Sequence, residues 1–185
     1  RFPQQFGSDK RKIELQGEAY FNVSHNENVP FVVKTQRTRV KVLGTKFNVR
    51  DWKSDEEANV VVNDGKVSVE TADSAAGYDK VILNKNQQSI LTDDQSGIKV
   101  NDVDSRKFML WLERGMYFDN DSFKNVLKNL ERRYAVTFRV EDETLLNVNY
   151  TGEFRDVDLD KVLKVLSATI GVEFHQNEEV IIVRQ

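Results

Sequence analysis

Two stretches of the sequence repeat one pattern: FDNDSFKNVLKNLERRYAVTF at residues 118–138 and FRDVDLDKVLKVLSATIGVEF at residues 154–174. The offset is 36 residues, and eight apolar positions of the first stretch have an apolar partner at this offset. The matched pairs are Phe118 and Phe154, Phe123 and Leu159, Val126 and Val162, Leu127 and Leu163, Leu130 and Leu166, Tyr134 and Ile170, Val136 and Val172, and Phe138 and Phe174. Counted from Phe123 or Leu159, the apolar spacing of i, i+3, i+4, i+7 and i+11 predicts an amphipathic helix of about three turns with a strand on each side.

The ends of both predicted helices carry suitable residues. Acidic or hydroxyl side chains precede each helix and can accept hydrogen bonds from its first N–H groups. Small residues stand at matching places where the chain must turn sharply from helix to strand. The predicted N-caps are Asp121 or Ser122 and Asp156 or Asp158, and the predicted turn residues are Ala135 and Gly171.

Two further apolar segments extend the pattern to β–α–β–β–α–β–β. Residues 146–154 are predicted to bridge the two copies, and Val180–Val183 to close the sheet as an outer strand. Two helices on one face of a small sheet bury one continuous core. The other face and the outer edges are then left for a partner.

The first hundred residues alternate apolar and polar positions with period two, which is typical of half-buried strands. Asp64-Gly65, between Val60–Val62 and Val67–Val69, predicts a hairpin turn. We therefore predict two domains: residues 1–104, an all-β sandwich or short solenoid, and residues 105–185, an α+β domain built from the duplicated β–α–β unit.

Composition excludes several classes of function. With 27 basic and 30 acidic residues the net charge is −3, so we expect no binding to nucleic acid. There is no cysteine, which excludes disulfides and thiolate chemistry. No apolar run reaches the roughly 18 residues of a membrane span. The chain opens at Arg1, and we expect it to be part of a longer protein.

The residues suited to catalysis do not converge. His25 and His175 fall in different predicted domains, where we expect both to face solvent. Neighbouring acids such as Glu56 and Glu57 point to opposite faces of a strand. Gly44 stands between two strands, without the helix N-terminus that a phosphate loop requires. We predict a protein that is not an enzyme and has no catalytic, metal or cofactor site.

Two sets of charged residues have alternative interpretations. Acids at 119, 121, 156, 158 and 160 suggest calcium-loop spacing, but they precede helices, where capping is the better interpretation. A basic run on consecutive strands is either a solvated face or a patch for an acidic partner. That run consists of Lys34, Arg37, Arg39, Lys41, Lys46 and Arg50.

Several ordered segments resemble a known family. GEAYFNV at 17–23, PFVV at 30–33, VKVLGTKFNV at 40–49 and GKVSV at 65–69 are similar to the periplasmic domain of FecR-type transmembrane anti-sigma factors. Trp111, Phe118, LERRY at 130–134 and TGEF at 151–154 resemble the C-terminal domain of that family, which is related to the secretin and TonB short N-terminal (STN) fold. That fold contains the duplication described above.

The resemblance implies a signalling role in the periplasm of a single-pass inner-membrane protein. A cytoplasmic segment upstream would hold an extracytoplasmic-function sigma factor, and an upstream helix would cross the membrane. The N-terminal signalling domain of a substrate-loaded TonB-dependent outer-membrane transporter would contact the periplasmic part. Proteases would then release the sigma factor, and genes for uptake of iron chelates or glycans would be transcribed.

We expect the transporter to bind an open sheet edge or face of the second domain, through β-augmentation or packing by another small α/β domain. Two other functions remain open: an assembly module of a secretin-like ring, and a domain that binds or acts on glycans through paired carboxylates. The predicted partner-binding residues are Arg132, Arg133, Asn147, Asn149, Thr151, Val180, Ile182 and Arg184.

Overall fold

A computed structural model describes residues 11–72, 80–93, 97–177 and 180–185 of the chain. Contacts within the chain divide it into two compact units, Arg1–Met109 and Leu110–Gln185.

The described part of the first unit consists of strands. In chain order these are β1 (Arg11–Glu14), β2 (Gly17–Asn22), β3 (Phe31–Lys34), β4 (Thr38–Val42), β5 (Lys46–Asp51), β6 (Glu57–Asp64), β7 (Lys66–Thr71), β8 (Lys80–Asn84), β9 (Gln87–Thr92) and β10 (Lys99–Asp102). They form two five-stranded sheets, ordered β1-β3-β4-β7-β8 and β10-β9-β6-β5-β2. β1 and β3 are parallel, and the remaining pairs are antiparallel.

The core of this unit lies between the two sheets. Alternate residues of each strand point inward, and those positions are aliphatic or aromatic. Phe21 and Phe47, from neighbouring strands, stack with ring centroids 5.1 Å apart. The buried cluster comprises Ile13, Phe31, Val33, Val40, Val42, Phe47, Val49, Val60, Val62, Val67, Val69 and Leu83.

The hairpin predicted at Asp64-Gly65 is wrong. Gly65 does adopt a left-handed conformation, with φ +90°, and turns the chain between β6 and β7. The two strands nevertheless belong to different sheets, because β6 pairs with β5 and β9 whereas β7 pairs with β4 and β8. A tight turn reverses the chain but does not determine which strands share hydrogen bonds.

The second unit combines short helices with five strands. Its elements are β11 (Gly115–Ser122), α1 (Phe123–Tyr134), β12 (Thr137–Val140), a 3-10 turn (Glu143–Asn147), β13 (Asn149–Arg155), α2 (Leu159–Leu166) with a π-helical turn (Ser167–Gly171), β14 (Glu173–Asn177) and β15 (Val180–Arg184). A 3-10 segment, Lys107–Glu113, precedes them. β11 and β13 form an antiparallel pair, and a second sheet has the order β12-β15-β14.

The core of the second unit consists of the apolar positions of the repeat and a few neighbours. Phe123, Val126 and Leu130 from α1 and Val162 and Leu166 from α2 are fully buried. They join Phe118, Leu127, Leu145, Tyr150, Phe154, Val172 and Val183 in one cluster.

The predicted fold class, an all-β domain followed by an α+β domain with a duplicated β–α–β sheet, is wrong. Of the described residues, 51% are in strands and 23% in helices, and the strands form four sheets, so the fold taken as a whole is β-rich. The strands of the repeat do not build one small sheet, because they separate into a two-stranded and a three-stranded sheet. Apolar spacing predicts local elements, whereas sheet membership depends on long-range hydrogen bonds.

None of the helices in the described part of the chain is long and apolar enough to cross a membrane.

Candidate interaction surface

The residues predicted to contact a partner lie on three parts of the second unit. Each part has a different relation to its surroundings. They are the last turn of α1 with Arg132 and Arg133, the strand β13 with Asn149 and Thr151, preceded by the exposed Asn147 at the end of the 3-10 turn, and the strand β15 with Val180, Ile182 and Arg184.

β15 is the central strand of its sheet, not an outer strand. It pairs with β12 in parallel and with β14 antiparallel. The prediction that Val180–Val183 forms an open edge is therefore wrong, because both of its edges are occupied. Periodicity identifies a strand but not its place in the sheet, since one of the two strands that pair with β15, namely β12, lies far away in sequence.

The three predicted β15 residues share the solvent-facing side of this sheet, which we call the β15 face. Its members in register are Thr137, Val180 and Asn177 in one row and Arg139, Ile182 and His175 in the next. Val180 is exposed and Ile182 half-buried, so together they form an apolar ridge along the middle of the face. Arg184, opposite Glu173, is the next outward residue of β15 and lies at the charged end of the ridge.

The opposite side of the same sheet packs into the core. Ile181 and Val183 are buried there. Phe138 and Phe174, on the two flanking strands, meet in an edge-to-face contact with ring centroids 6.2 Å apart. Because strand residues alternate in direction, the inward Ile181 and Val183 hold Val180, Ile182 and Arg184 outward.

Charged groups surround the apolar ridge. Arg184 Nε lies 3.0 Å from Glu141 Oε2, and His175 Nε2 lies 3.2 Å from Glu173 Oε2. No ion pair joins Arg139 to a carboxylate among the described residues, and its register neighbour is Ile182. An apolar centre with a charged rim is the usual composition of a protein contact surface.

Two open strand edges flank the β15 face. Among the described strands, β12 and β14 each pair with β15 alone. An edge strand presents backbone N–H and C=O groups that another chain can pair with. Edge pairing is therefore available at β12 and β14.

The β13 residues are engaged within the fold. The register of β11 and β13 shifts between Phe118 and Asp121, and Asn120 adopts a φ of +55° at that point. Thr151 Oγ1 accepts a hydrogen bond from the Asn120 N–H at 2.8 Å, and Asn149 Nδ2 donates to Asn120 Oδ1 at 3.1 Å. Asn149 and Thr151 thus stabilise a β-bulge, a role that alternation alone does not reveal.

The two arginines close α1. Arg132 Nε donates to the Lys128 carbonyl at 2.9 Å, and the Arg133 guanidinium donates to the Arg114 carbonyl. The Arg133 guanidinium also lies 5.5 Å from the centroid of the Tyr134 ring. Cations favour a helix C-terminus, and these contacts hold both side chains half-buried against the unit.

One residue from each predicted pair of N-caps, Ser122 and Asp158, caps its helix, whereas Asp121 accepts instead from the Asp119 N–H. Ser122 Oγ accepts from the Asn125 N–H at 3.3 Å, and Asp158 Oδ1 from the Lys161 N–H at 2.9 Å. The hydrogen bond from the Lys161 N–H is the main reason why the pKa of Asp158 is lowered. Among the described residues no group of three or more acidic or histidine side chains is placed to hold a metal ion.

The two histidines are exposed, which confirms that both face solvent. The side chains of His25 and His175 are 66% and 50% exposed, and each lies near a glutamate two residues away.

The sequence matches two family profiles: "FecR protein" over residues 1–68 and "FecR, C-terminal" over residues 115–183. Two crystal structures of a protein assigned as an anti-sigma factor from Parabacteroides distasonis ATCC 8503, at 1.65 and 2.50 Å resolution, are similar to the whole chain. Both are 32% identical, with TM-scores of 0.92 and 0.91; this chain is covered completely and theirs to 85% and 84%. No curated protein matches.

Proposed function

The chain belongs to the FecR family of anti-sigma factors, and from this premise we propose that its second unit receives a signal through the β15 face and the edges beside it. The partner is the N-terminal signalling domain of a TonB-dependent outer-membrane transporter loaded with its substrate. Binding takes place in the periplasm and is transmitted through an upstream membrane helix. Site proteases then free an extracytoplasmic-function sigma factor for nutrient-uptake genes.

One observation carries the location of the contact: the three-stranded sheet offers an apolar ridge and two open edges on the same small surface. A partner strand added at β12 or β14 would extend the sheet, and its side chains would lie beside Val180 and Ile182. Arg139, Arg184 and His175 would lie at the rim, where charges set orientation more than affinity.

The same surface suits a sensor. A three-stranded sheet offers a small contact area, and interfaces below about 1,200 Å² are typical of weak, transient encounters. Regulation by occupancy requires such reversibility. We propose accordingly that this chain acts by binding and carries out no chemistry, in keeping with a regulatory family.

The proposal is tested by titrating the 185-residue protein with the purified signalling domain of a candidate transporter in a calorimeter. Val180→Glu and Ile182→Glu each place a carboxylate on the ridge, where burial against a partner would leave it without a counter-charge. We expect each to weaken binding at least about tenfold, equivalent to roughly 1.4 kcal/mol.

Val165→Glu is the matched control, because Val165 is also an exposed valine of this unit, 45% exposed, but lies on α2. It should bind like the unchanged protein, and all three variants should keep its circular dichroism spectrum. If both ridge variants bound with unchanged affinity, the β15 face would not be the contact surface. Failure of every signalling domain tested to bind the unchanged protein would contradict the assigned partner.

A further inference from the structure

The outer face of the first five-stranded sheet carries an excess of positive charge. Strand register arranges its residues in rows across the sheet. One row is Glu14, Lys34, Arg39, Glu70 and Lys80, and the next is Lys12, Val32, Lys41, Ser68 and Ile82. Lys66 on β7, opposite Asn84, begins a third row.

The first row is close to neutral. It places two acids, Glu14 and Glu70, next to basic residues on the neighbouring strands, and Lys80 Nζ lies 3.3 Å from Glu70 Oε1. Opposite charges on adjacent strands satisfy one another across the ladder. This row therefore has too little net charge to attract another molecule strongly.

The other two rows contain cations but no acid. Lys12, Lys41 and Lys66 are exposed, and no ion pair to a described carboxylate involves them. Clustered charges of one sign attract an oppositely charged partner. These three lysines form what we call the lysine patch.

The sequence alone predicts a different set of cations for this face. Arg37 belongs to the basic run but is only 7% exposed, because its guanidinium is bound by Asp51 and Asp93. Arg50 pairs with the buried Asp55 at 3.0 Å. Ion pairs with acids therefore engage both arginines, whereas Lys66, from outside the run, lies on this face.

A groove of about 530 Å³ runs beside the lysine patch. Lys41 and Lys66 line it together with Leu43 and Ile82, which are 40% and 53% exposed. Exposed aliphatic side chains between cations offer an apolar contact within a positive rim. The groove therefore suits a ligand that is both acidic and apolar.

The floor of the groove holds a polar atom without a partner. Ser68 Oγ is buried and makes no hydrogen bond within the described structure. Its register neighbours are Lys41 on one side and Ile82 on the other. A buried hydroxyl without a partner destabilises the fold, and a carboxylate or carbonyl that reached Ser68 Oγ would relieve that cost.

We propose that this groove binds an extended acidic segment of a partner polypeptide. Its carboxylates would contact Lys41 and Lys66, its alternate apolar side chains would lie on Leu43 and Ile82, and one oxygen would accept from Ser68. Among the described strands β8 pairs with β7 alone, so the segment can also hydrogen-bond along the edge of β8. A concave groove with an open edge favours a strand over the flat surface of a lipid bilayer.

A fluorescein-labelled decapeptide of alternating glutamate and valine is a direct probe. Its binding to the 185-residue protein is followed by fluorescence anisotropy at low and high salt. The double variant Lys41→Glu, Lys66→Glu should weaken binding at least about tenfold, since it replaces attraction by repulsion. The matched control is Lys99→Glu, Lys164→Glu, which changes net charge equally at exposed positions on β10 and α2.

Ser68→Ala separates binding from folding. Removal of the hydroxyl should raise the melting temperature of the free protein, because an unsatisfied buried group is lost, and should weaken peptide binding about threefold. Equal weakening of peptide binding by both double variants would overturn the proposal, because binding would then depend on net charge and not on Lys41 and Lys66. Absence of peptide binding, with flotation of the protein on phosphatidylglycerol vesicles instead, would overturn it in favour of a lipid surface.

The groove belongs to the first unit and is tested with its own probe, so it is independent of the proposed function. If the protein bound the decapeptide but no signalling domain, the proposed peptide groove would stand and the proposed function would be contradicted.

Discussion

The two copies of the repeat share their apolar spacing but differ in how deeply it is buried. α1 has 12 residues and buries Phe123, Val126, Leu127 and Leu130. α2 has 8 α-helical residues and buries Val162 and Leu166, while Leu163, which corresponds to Leu127, is half-buried. Equal patterns therefore do not give equal packing, because each helix meets different neighbours.

The strands of the two copies also differ in partner. The strands that precede the helices, β11 and β13, pair with each other. The strands that follow them, β12 and β14, are separated by β15, which is parallel to the first and antiparallel to the second. β15 has no equivalent in the first copy, so a single added strand breaks the duplication and creates the β15 face.

The largest difference is expected in core truncations at equivalent leucines. Leu127→Ala should lower the free energy of unfolding by about 3 kcal/mol, and Leu163→Ala by roughly 1 kcal/mol, because a half-buried side chain leaves less cavity. Leu130→Ala and Leu166→Ala, both fully buried, serve as controls and should cost similar amounts. Urea denaturation measures all four, and equal losses for Leu127 and Leu163 would show that the two helices pack alike.

The ends of the helices offer a smaller contrast. Ala135 and Gly171 occupy matching positions and both have positive φ, +54° and +79°. An L-residue is strained there, so Ala135→Gly should stabilise the protein and Gly171→Ala destabilise it, each by about 1 kcal/mol. A Cβ on Gly171 would meet nothing within 4 Å, so the effect comes from the backbone alone. Thermal unfolding of the two variants tests this, and shifts of the same sign would contradict it.

The helix N-caps should differ in pH dependence. Ser122→Ala should cost about 1 kcal/mol at pH 7 and at pH 3 alike, since a hydroxyl does not titrate in this range. Hydrogen bonds from the backbone and side chain of Lys161 lower the pKa of Asp158 below its usual 3.8. The Asp158 cap is therefore fully effective above the unfolded-state pKa and is lost as pH falls through the lower folded-state pKa.

Melting temperatures of Ser122→Ala, Asp158→Ala and the unchanged protein, recorded between pH 7 and pH 2, separate the two caps. The deficit of Asp158→Ala should shrink toward the acid end while that of Ser122→Ala persists. A deficit of Asp158→Ala that is independent of pH would mean that the charge of the carboxylate plays no part in capping.

Local features were predictable from the residues, and pairings between distant segments were not. The starts of both helices, the caps Ser122 and Asp158 and the turn residues Ala135 and Gly171 follow from spacing and side-chain chemistry within a few positions. The central place of β15, the sheet change at Gly65 and the burial of Arg37 each depend on a group far along the chain. The candidate surface shows the same division: its outward residues on β15 were predictable, whereas the bulge that engages Asn149 and Thr151 was not.

The position of β15 has a consequence for the order of folding. β12 and β14 precede β15 in the chain, and the sheet that joins them cannot form until β15 has been synthesised. Pairing of β12 with β15 closes a long loop of chain, which slows folding. Until then β12 and β14 each lack their pairing strand, and a chaperone that shields strand edges would act at this stage.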